Sequence, residues 1–153
     1  MVAMPFFMML FGIMVVGLFF FTTFSLENAV EETGRLIRTG QVQQGGMTAD
    51  QFKQQVCNRL PAYVDCAGKL RINVQNFTGF GSIVVPTCVD SGGKLVESAA
   101  TPYSPGSADA IVLITVCYEW ELAGKLPFLS VSNMSNGSAL LQASTTFRTE
   151  PYN

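Results

Sequence analysis

The sequence predicts an α+β protein: one long N-terminal helix, a short second helix and an antiparallel β-sheet domain. Three observations predict it. Met1 to Leu26 carries no charged residue, and every Lys, Arg, Asp and Glu lies at or beyond Glu27. After Lys69 the apolar residues change from a helical period to a period of two. All four cysteines, Cys57, Cys66, Cys88 and Cys117, follow the apolar segment. The chain has 153 residues, enough for one domain with an appendage, and nine Lys+Arg against eleven Asp+Glu give a net charge of −2. Nucleic-acid binding needs a basic face to displace phosphate counterions, and this balance argues against it. There is no histidine. That removes Ser-His-Asp and Cys-His nucleophiles, His-ligated zinc and the usual general base near neutral pH.

The first element is a membrane helix. Seven of the twelve Phe and five of the seven Met fall in the first 24 positions. Pro5 to Phe24 would span ~30 Å as a helix, the thickness of the hydrocarbon core, and in lipid a single span must be helical. Pro5 suits the first helical turn, where its missing N–H costs little. A cleaved signal peptide would have a basic start, a shorter apolar core and a small-residue cleavage site. None is present, so the helix is expected to be retained. Phe6, Phe7, Leu10, Phe11, Met14, Leu18 and Phe21 are the residues expected to meet lipid or neighbouring transmembrane helices. Gly12 and Gly17 are five apart and do not form a small-xxx-small motif.

The helix should continue past the bilayer. Leu26, Ala29, Val30, Thr33, Leu36 and Ile37 form one amphipathic stripe. Glu31 and Glu32 are placed to pair with Arg35, Arg35 and Arg38 suit the helix C-terminus, and Gly40 is a C′ stop. The expected division is therefore a transmembrane helix over 1–25, its amphipathic continuation over 26–40, and a disulfide-containing extracytoplasmic α+β domain over 41–153.

Within that domain, 41–47 reads as a polar loop. Thr48 with Gln51 forms a capping-box pattern opening a short helix through Leu60, with Phe52, Val56 and Leu60 inward and Pro61 ending it. Lys69–Phe77 alternates as a half-buried strand, Ser82–Pro86 and Lys94–Glu97 read as short strands, and Ser104–Ser107 reads as a turn. Ala110–Leu122 is the strongest strand, with Val112, Ile114, Val116, Tyr118, Trp120 and Leu122 on one face. Ser132–Ser138 is a polar loop before a last strand, Ala139–Thr149. The three Asn-x-Ser/Thr matches, at Asn76, Asn133 and Asn136, read as turn formers.

Gaps of 8, 21 and 28 residues between the cysteines contain no CxxC knuckle, which disfavours zinc and dithiol redox chemistry. Two disulfides in an oxidising compartment are the better account. Three connectivities can be drawn, and Cys57–Cys66 with Cys88–Cys117 is the one expected. It places the domain outside the cytoplasm. Glu119 and Glu121 are the best candidates for acid–base chemistry, but they read better as a solvated strand face.

The chain resembles the TadE/TadG-like pseudopilins of the bacterial tight-adherence (Flp-type) pilus system. The resemblance is carried most specifically by Val2-Ala3-Met4-Pro5-Phe6-Phe7 running into Leu10-Phe11-Gly12-Ile13. It continues in Leu26-Glu27-Asn28-Ala29-Val30, in 34–41, in Phe52 to Cys57, in Asp65-Cys66, in Val116-Cys117-Tyr118 and in 146–152. It implies a non-enzymatic, pilin-like subunit without cofactor or small-molecule substrate. Such a subunit is held by a single span in the bacterial inner membrane, partnered by lipid and other transmembrane helices, with its C-terminal domain periplasmic or extracellular. It also implies trimming by a prepilin peptidase. The Gly and Glu of that processing pattern do not appear, no acidic residue preceding Glu27. The sequence is thus expected either to begin downstream of the processing region or to escape processing. The alternative expectation is an accessory subunit docked through its helix on another inner-membrane complex.

Overall fold

A computed structural model describes residues 3–97, 101–125 and 131–152. Val2, the first residue of the resemblance block, and Asn153 lie outside them. The order of elements is α1 (Ala3–Arg38), α2 (Gln41–Gln44), α3 (Ala49–Cys57), α4 (Cys66–Lys69), β1 (Leu70–Phe77), β2 (Ile111–Trp120) and β3 (Ala139–Arg148). Short 3-10 turns occupy Phe80–Ser82 and Glu121–Lys125.

α1 is uninterrupted for 36 residues, ~54 Å at about 1.5 Å per residue. Its second half forms the domain's core. Thr22, Leu26, Ala29, Val30, Thr33, Gly34 and Ile37 are buried, the period-3.6 stripe that the sequence contains, with Leu36 only half-buried. Both buried hydroxyls are satisfied within the helix: Thr22 donates to Leu18 O at 2.7 Å and Thr33 to Ala29 O at 2.6 Å. Gly34 lets the helix approach the sheet closely, since a Cβ there would lie 3.1 Å from the Phe147 ring and 3.4 Å from Ile114. The helix ends at Gly40, whose φ of 76° is the left-handed conformation of a C′ glycine.

The sheet is antiparallel in the order β1-β2-β3. β2 is central, which is why its ten residues are apolar at nearly every position and buried on both faces. Val112, Ile114, Val116, Tyr118 and Trp120 face α1 and α3, with Val74 opposite Ile114 and Ala143 opposite Val116. Phe52 and Val56 of α3 are fully buried against this face. The capping box is present: Gln51 N–H donates to Thr48 Oγ1, and Thr48 N–H to the Gln51 side chain.

The other face of β2 is covered without strands. Ser82–Pro86 and Lys94–Glu97 differ from the expectation: the first is a 3-10 turn running into extended chain, the second a single bridge from Val89 to Leu95. Val84 and Val85 are exposed, and Pro86 has no N–H to give a ladder. The segment is tied down piecemeal instead, by Cys88–Cys117, by Arg71 Nε donating to Val96 O at 2.8 Å, and by Ser135 N–H donating to Gly93 O. Cys57 is bonded to Cys66, joining α3 to α4. Two smaller corrections concern helices and charges. Residues 41–44 form one helical turn because Val42 is drawn into the core. Glu32 pairs with Arg59 at 2.8 Å across to α3, not along α1 with Arg35.

Candidate membrane and helix-packing surface

The N-terminal half of α1 projects from the domain as a bare apolar rod. The first buried residue along it, among those described, is Thr22. Ala3–Phe21 thus contains no buried residue over ~28 Å, against about 30 Å for a hydrocarbon core, although Val15 and Phe19 pack one side of it on the domain. Mean hydropathy over its apolar window is 2.4, and none of that window is buried. One helix is thus long and apolar enough to cross a membrane.

All seven residues expected from sequence to pack there are exposed, from Leu10 at 39% to Phe11 at 64%. At about 100° per residue they fall within an arc of about 140°. That arc is turned away from the stripe that carries Leu26, Val30 and Ile37 onto the sheet. Apart from Leu18 near the arc's edge, which also lines a cleft against the domain, the domain and any neighbour on this face therefore do not compete for the same side of the helix. Phe and Met fit such a face because large flat rings and an unbranched thioether adapt to irregular helix packing.

The domain's contact with the rod begins inside the apolar run. Phe19 meets Trp120 edge to face, ring centres 5.4 Å apart. The Tyr63 hydroxyl lies 3.0 Å from Thr22 Oγ1. Because the Thr22 hydrogen is used on Leu18 O, Tyr63 is the donor. Trp120 ends β2 and Tyr63 lies between α3 and α4, so two distant parts of the chain form a partial collar along one side of residues 15–22. On one side of the collar, Val15, Val16, Phe19, Phe20, Trp120 and Val131 line an apolar notch of about 180 Å³. On the other is a cleft of about 500 Å³ whose lining includes Leu18, Tyr63, Lys69, Trp120, Leu122 and Lys125.

The cleft's charges are arranged in part by an ion pair. Lys69 Nζ is 2.5 Å from Glu121 Oε1. The hydrogen bond to Glu121 raises the Lys69 pKa, and the same bond lowers that of Glu121. Glu119, the other acid–base candidate, accepts hydrogen bonds from Asn136 Nδ2 and Ser138 Oγ and so fixes the 132–138 loop. Both carboxylates hold structure. Among the described residues no group of three or more His, Cys, Asp or Glu side chains could hold a metal ion.

The collar was missed from sequence. Trp120 reads as one more inward residue of a strand, and Tyr63 as part of a connection. The available signal was the single tryptophan at the charged end of the strongest strand, where an amphipathic ring marks a boundary between apolar and wet surroundings.

In comparison with protein families, residues 1–35 match the TadE-like protein family. The match covers the apolar rod, the collar-bearing turns and the stripe that packs on the sheet as far as Gly34, short of Leu36 and Ile37, and includes the most specific block of the resemblance read from the sequence. Neither the curated proteins nor the solved structures yield a match.

Proposed function

From a TadE-like N-terminal segment as premise, we propose that the chain is a non-enzymatic, pilin-like subunit of a Tad pilus system. Its helix is anchored in the bacterial inner membrane and its domain faces the periplasm or the cell exterior. The observation that carries this reading is the ~28 Å of apolar helix over Ala3–Phe21 with no buried residue, touched by the domain on one side at Val15 and Phe19, a length matched to one bilayer crossing. An apolar surface of that size is stable only when covered by lipid or by other helices. The two disulfides, Cys57–Cys66 and Cys88–Cys117, supply the direction. They form in oxidising compartments, so the domain lies on the extracytoplasmic side and residue 3 towards the cytoplasm. In a pilus, the arc from Phe6 to Phe21 would pass from lipid into the bundle of neighbouring helices, exchanging one apolar environment for another.

Shearing of surface appendages tests this. The protein is expected in the sheared fraction as a sedimentable polymer, with the remaining pool in the membrane. Its absence from sheared material, together with extraction in mild detergent bound to one stoichiometric membrane partner, would overturn the filament reading. It would support the accessory-subunit reading instead.

A further inference from the structure

We propose that the cleft beside the collar seats the headgroup of a zwitterionic phospholipid from the leaflet through which α1 emerges, phosphate towards Lys125 and ammonium towards Asp65. The proposal rests on the transmembrane reading of α1. If Ala3–Phe21 fills the hydrocarbon core, then residues 18–24 lie at its outer boundary. That is the level at which Trp120, Tyr63 and Leu122 lie beside the helix. Tyr63 is 52% exposed and Leu122 37%, and Phe24 is 59% exposed on the opposite side of the rod. Indole and phenol rings with one apolar and one polar end concentrate at bilayer interfaces.

The cleft is built as a headgroup site would be. Its inner wall is apolar, from Leu18, Trp120 and Leu122, and its rim carries Asp65, Lys69, Glu121 and Lys125. Lys69 and Glu121 neutralise one another at 2.5 Å. The rim as a whole is charge-balanced, Lys69 and Lys125 against Asp65 and Glu121: Lys125 has no ion-pair partner among the described residues, while the Asp65 carboxylate caps α4 through Gly68 N–H and lies within electrostatic reach of Lys69 and Lys53. A rim that presents both signs without net charge complements a phosphate–ammonium headgroup and not a purely anionic one. Tyr63 stands between the apolar wall and the rim, its hydroxyl already oriented by Thr22. Lys side chains whose stems lie along apolar surface extend their ammonium groups to phosphate level.

The chain's single tryptophan, Trp120, is a reporter inside the site. The full-length protein is reconstituted into phosphatidylethanolamine/phosphatidylcholine vesicles doped with a lipid carrying a nitroxide on its headgroup or at its acyl terminus. Headgroup nitroxide is expected to quench Trp120 at least about two-fold more strongly than acyl-terminal nitroxide, as an interfacial ring requires. Lys125→Glu should cut headgroup quenching by about half while circular dichroism stays unchanged, and replacing the unlabelled zwitterionic lipids by phosphatidylglycerol should strengthen quenching of the parent protein by a labelled zwitterionic headgroup, because its competitors for the cleft are then gone. Three results would overturn the proposal: quenching by aqueous iodide and by neither nitroxide, headgroup quenching indifferent to Lys125→Glu, or headgroup quenching that appears only on dilution in lipid, which would mean that a second copy covers the cleft. Each can be seen with the protein still resistant to alkaline carbonate extraction, which keeps the anchor. Release by carbonate would sink the transmembrane reading itself.

Discussion

Gly40 is where the structure makes its sharpest demand on a single residue. It is buried at the end of α1 with φ 76°, its N–H bonded to Ile37 O at 3.0 Å. A Cβ at this position would lie 2.5 Å from Tyr152 Cδ1, 2.6 Å from Cγ and 2.9 Å from Cε1. The ring is therefore seated flat on the glycine, in the segment that returns to the helix through Glu150 N–H to Arg38 O and the Arg38–Glu150 ion pair. Gly40→Ala incurs two costs: about 1 kcal/mol for an L-residue in the left-handed region, and about 2 kcal/mol for displacing the ring. For a domain of this size the total of about 3 kcal/mol corresponds to about 12 °C in Tm. Thermal unfolding of the full chain in mild detergent, followed by Trp120 fluorescence, measures it. In a Tyr152→Ala background the same substitution should cost only the backbone part, about 1 kcal/mol. A loss below about 0.5 kcal/mol in the parent, or equal losses in both backgrounds, would refute the reasoning that the ring closes over Gly40.

Three further outcomes can be checked by the same unfolding measurement. Replacing Cys88 and Cys117 by Ser, whose separation is 29 residues, should cost about 3.6 kcal/mol by loop-closure entropy, and replacing Cys57 and Cys66, separation 9, about 2.7 kcal/mol. Burial pushes the Tyr103 pKa from 10 up to about 12, and its hydroxyl donates to Met47 O at 3.1 Å. The folded state thus holds this proton more tightly than the unfolded one, so its contribution is complete below pH 10 and is lost as the pH rises towards 12. Tyr103→Phe should make that alkaline decline shallower while costing about 1 kcal/mol at neutral pH. Thr115 Oγ1 and Asn73 Oδ1 are cross-strand neighbours, both buried without a hydrogen-bond partner. Thr115→Val should therefore stabilise the domain by about 1 kcal/mol.

What was legible in the sequence follows the range of the forces involved. The apolar run to Leu26, the stripe from Leu26 to Ile37, the Thr48–Gln51 capping box and the alternation through Val112, Ile114 and Val116 are set by near neighbours in the chain. Each is found as read. The covering of the outer face of β2 was misread because it depends on distant attachments. Short runs such as Ile83-Val84-Val85 have strand propensity, but no edge pairs with them, and the chain there is held by a disulfide and by Arg71. Glu32 was misassigned for the same reason: its partner Arg59 lies 27 positions on and approaches only after α3 docks. The collar was illegible because it needs Trp120, Tyr63 and Phe19 brought together by three elements.

α1 and the sheet share one core, and this limits where the chain can be cut. Leu26, Val30 and Ile37 are each at most 1% exposed, and burying each side chain stabilises the fold by about 1.5–3 kcal/mol. The three together approach about 5–9 kcal/mol, as large as the net stability of a typical small domain. Removing residues 3–21 should therefore leave a folded, water-soluble, disulfide-bonded domain with Trp120 more exposed for want of Phe19. Removing 3–38 should leave β2 without a partner layer, and the fragment should aggregate or unfold. Analytical ultracentrifugation and Trp120 fluorescence of the two truncations separate these outcomes. If the shorter fragment folded as well as the longer, α1 would be a tether hung on an independent domain. If only the longer folds, a load on the membrane helix passes directly into the sheet. The domain could then not swivel on its anchor, and its attitude to the bilayer would be set where the collar grips α1.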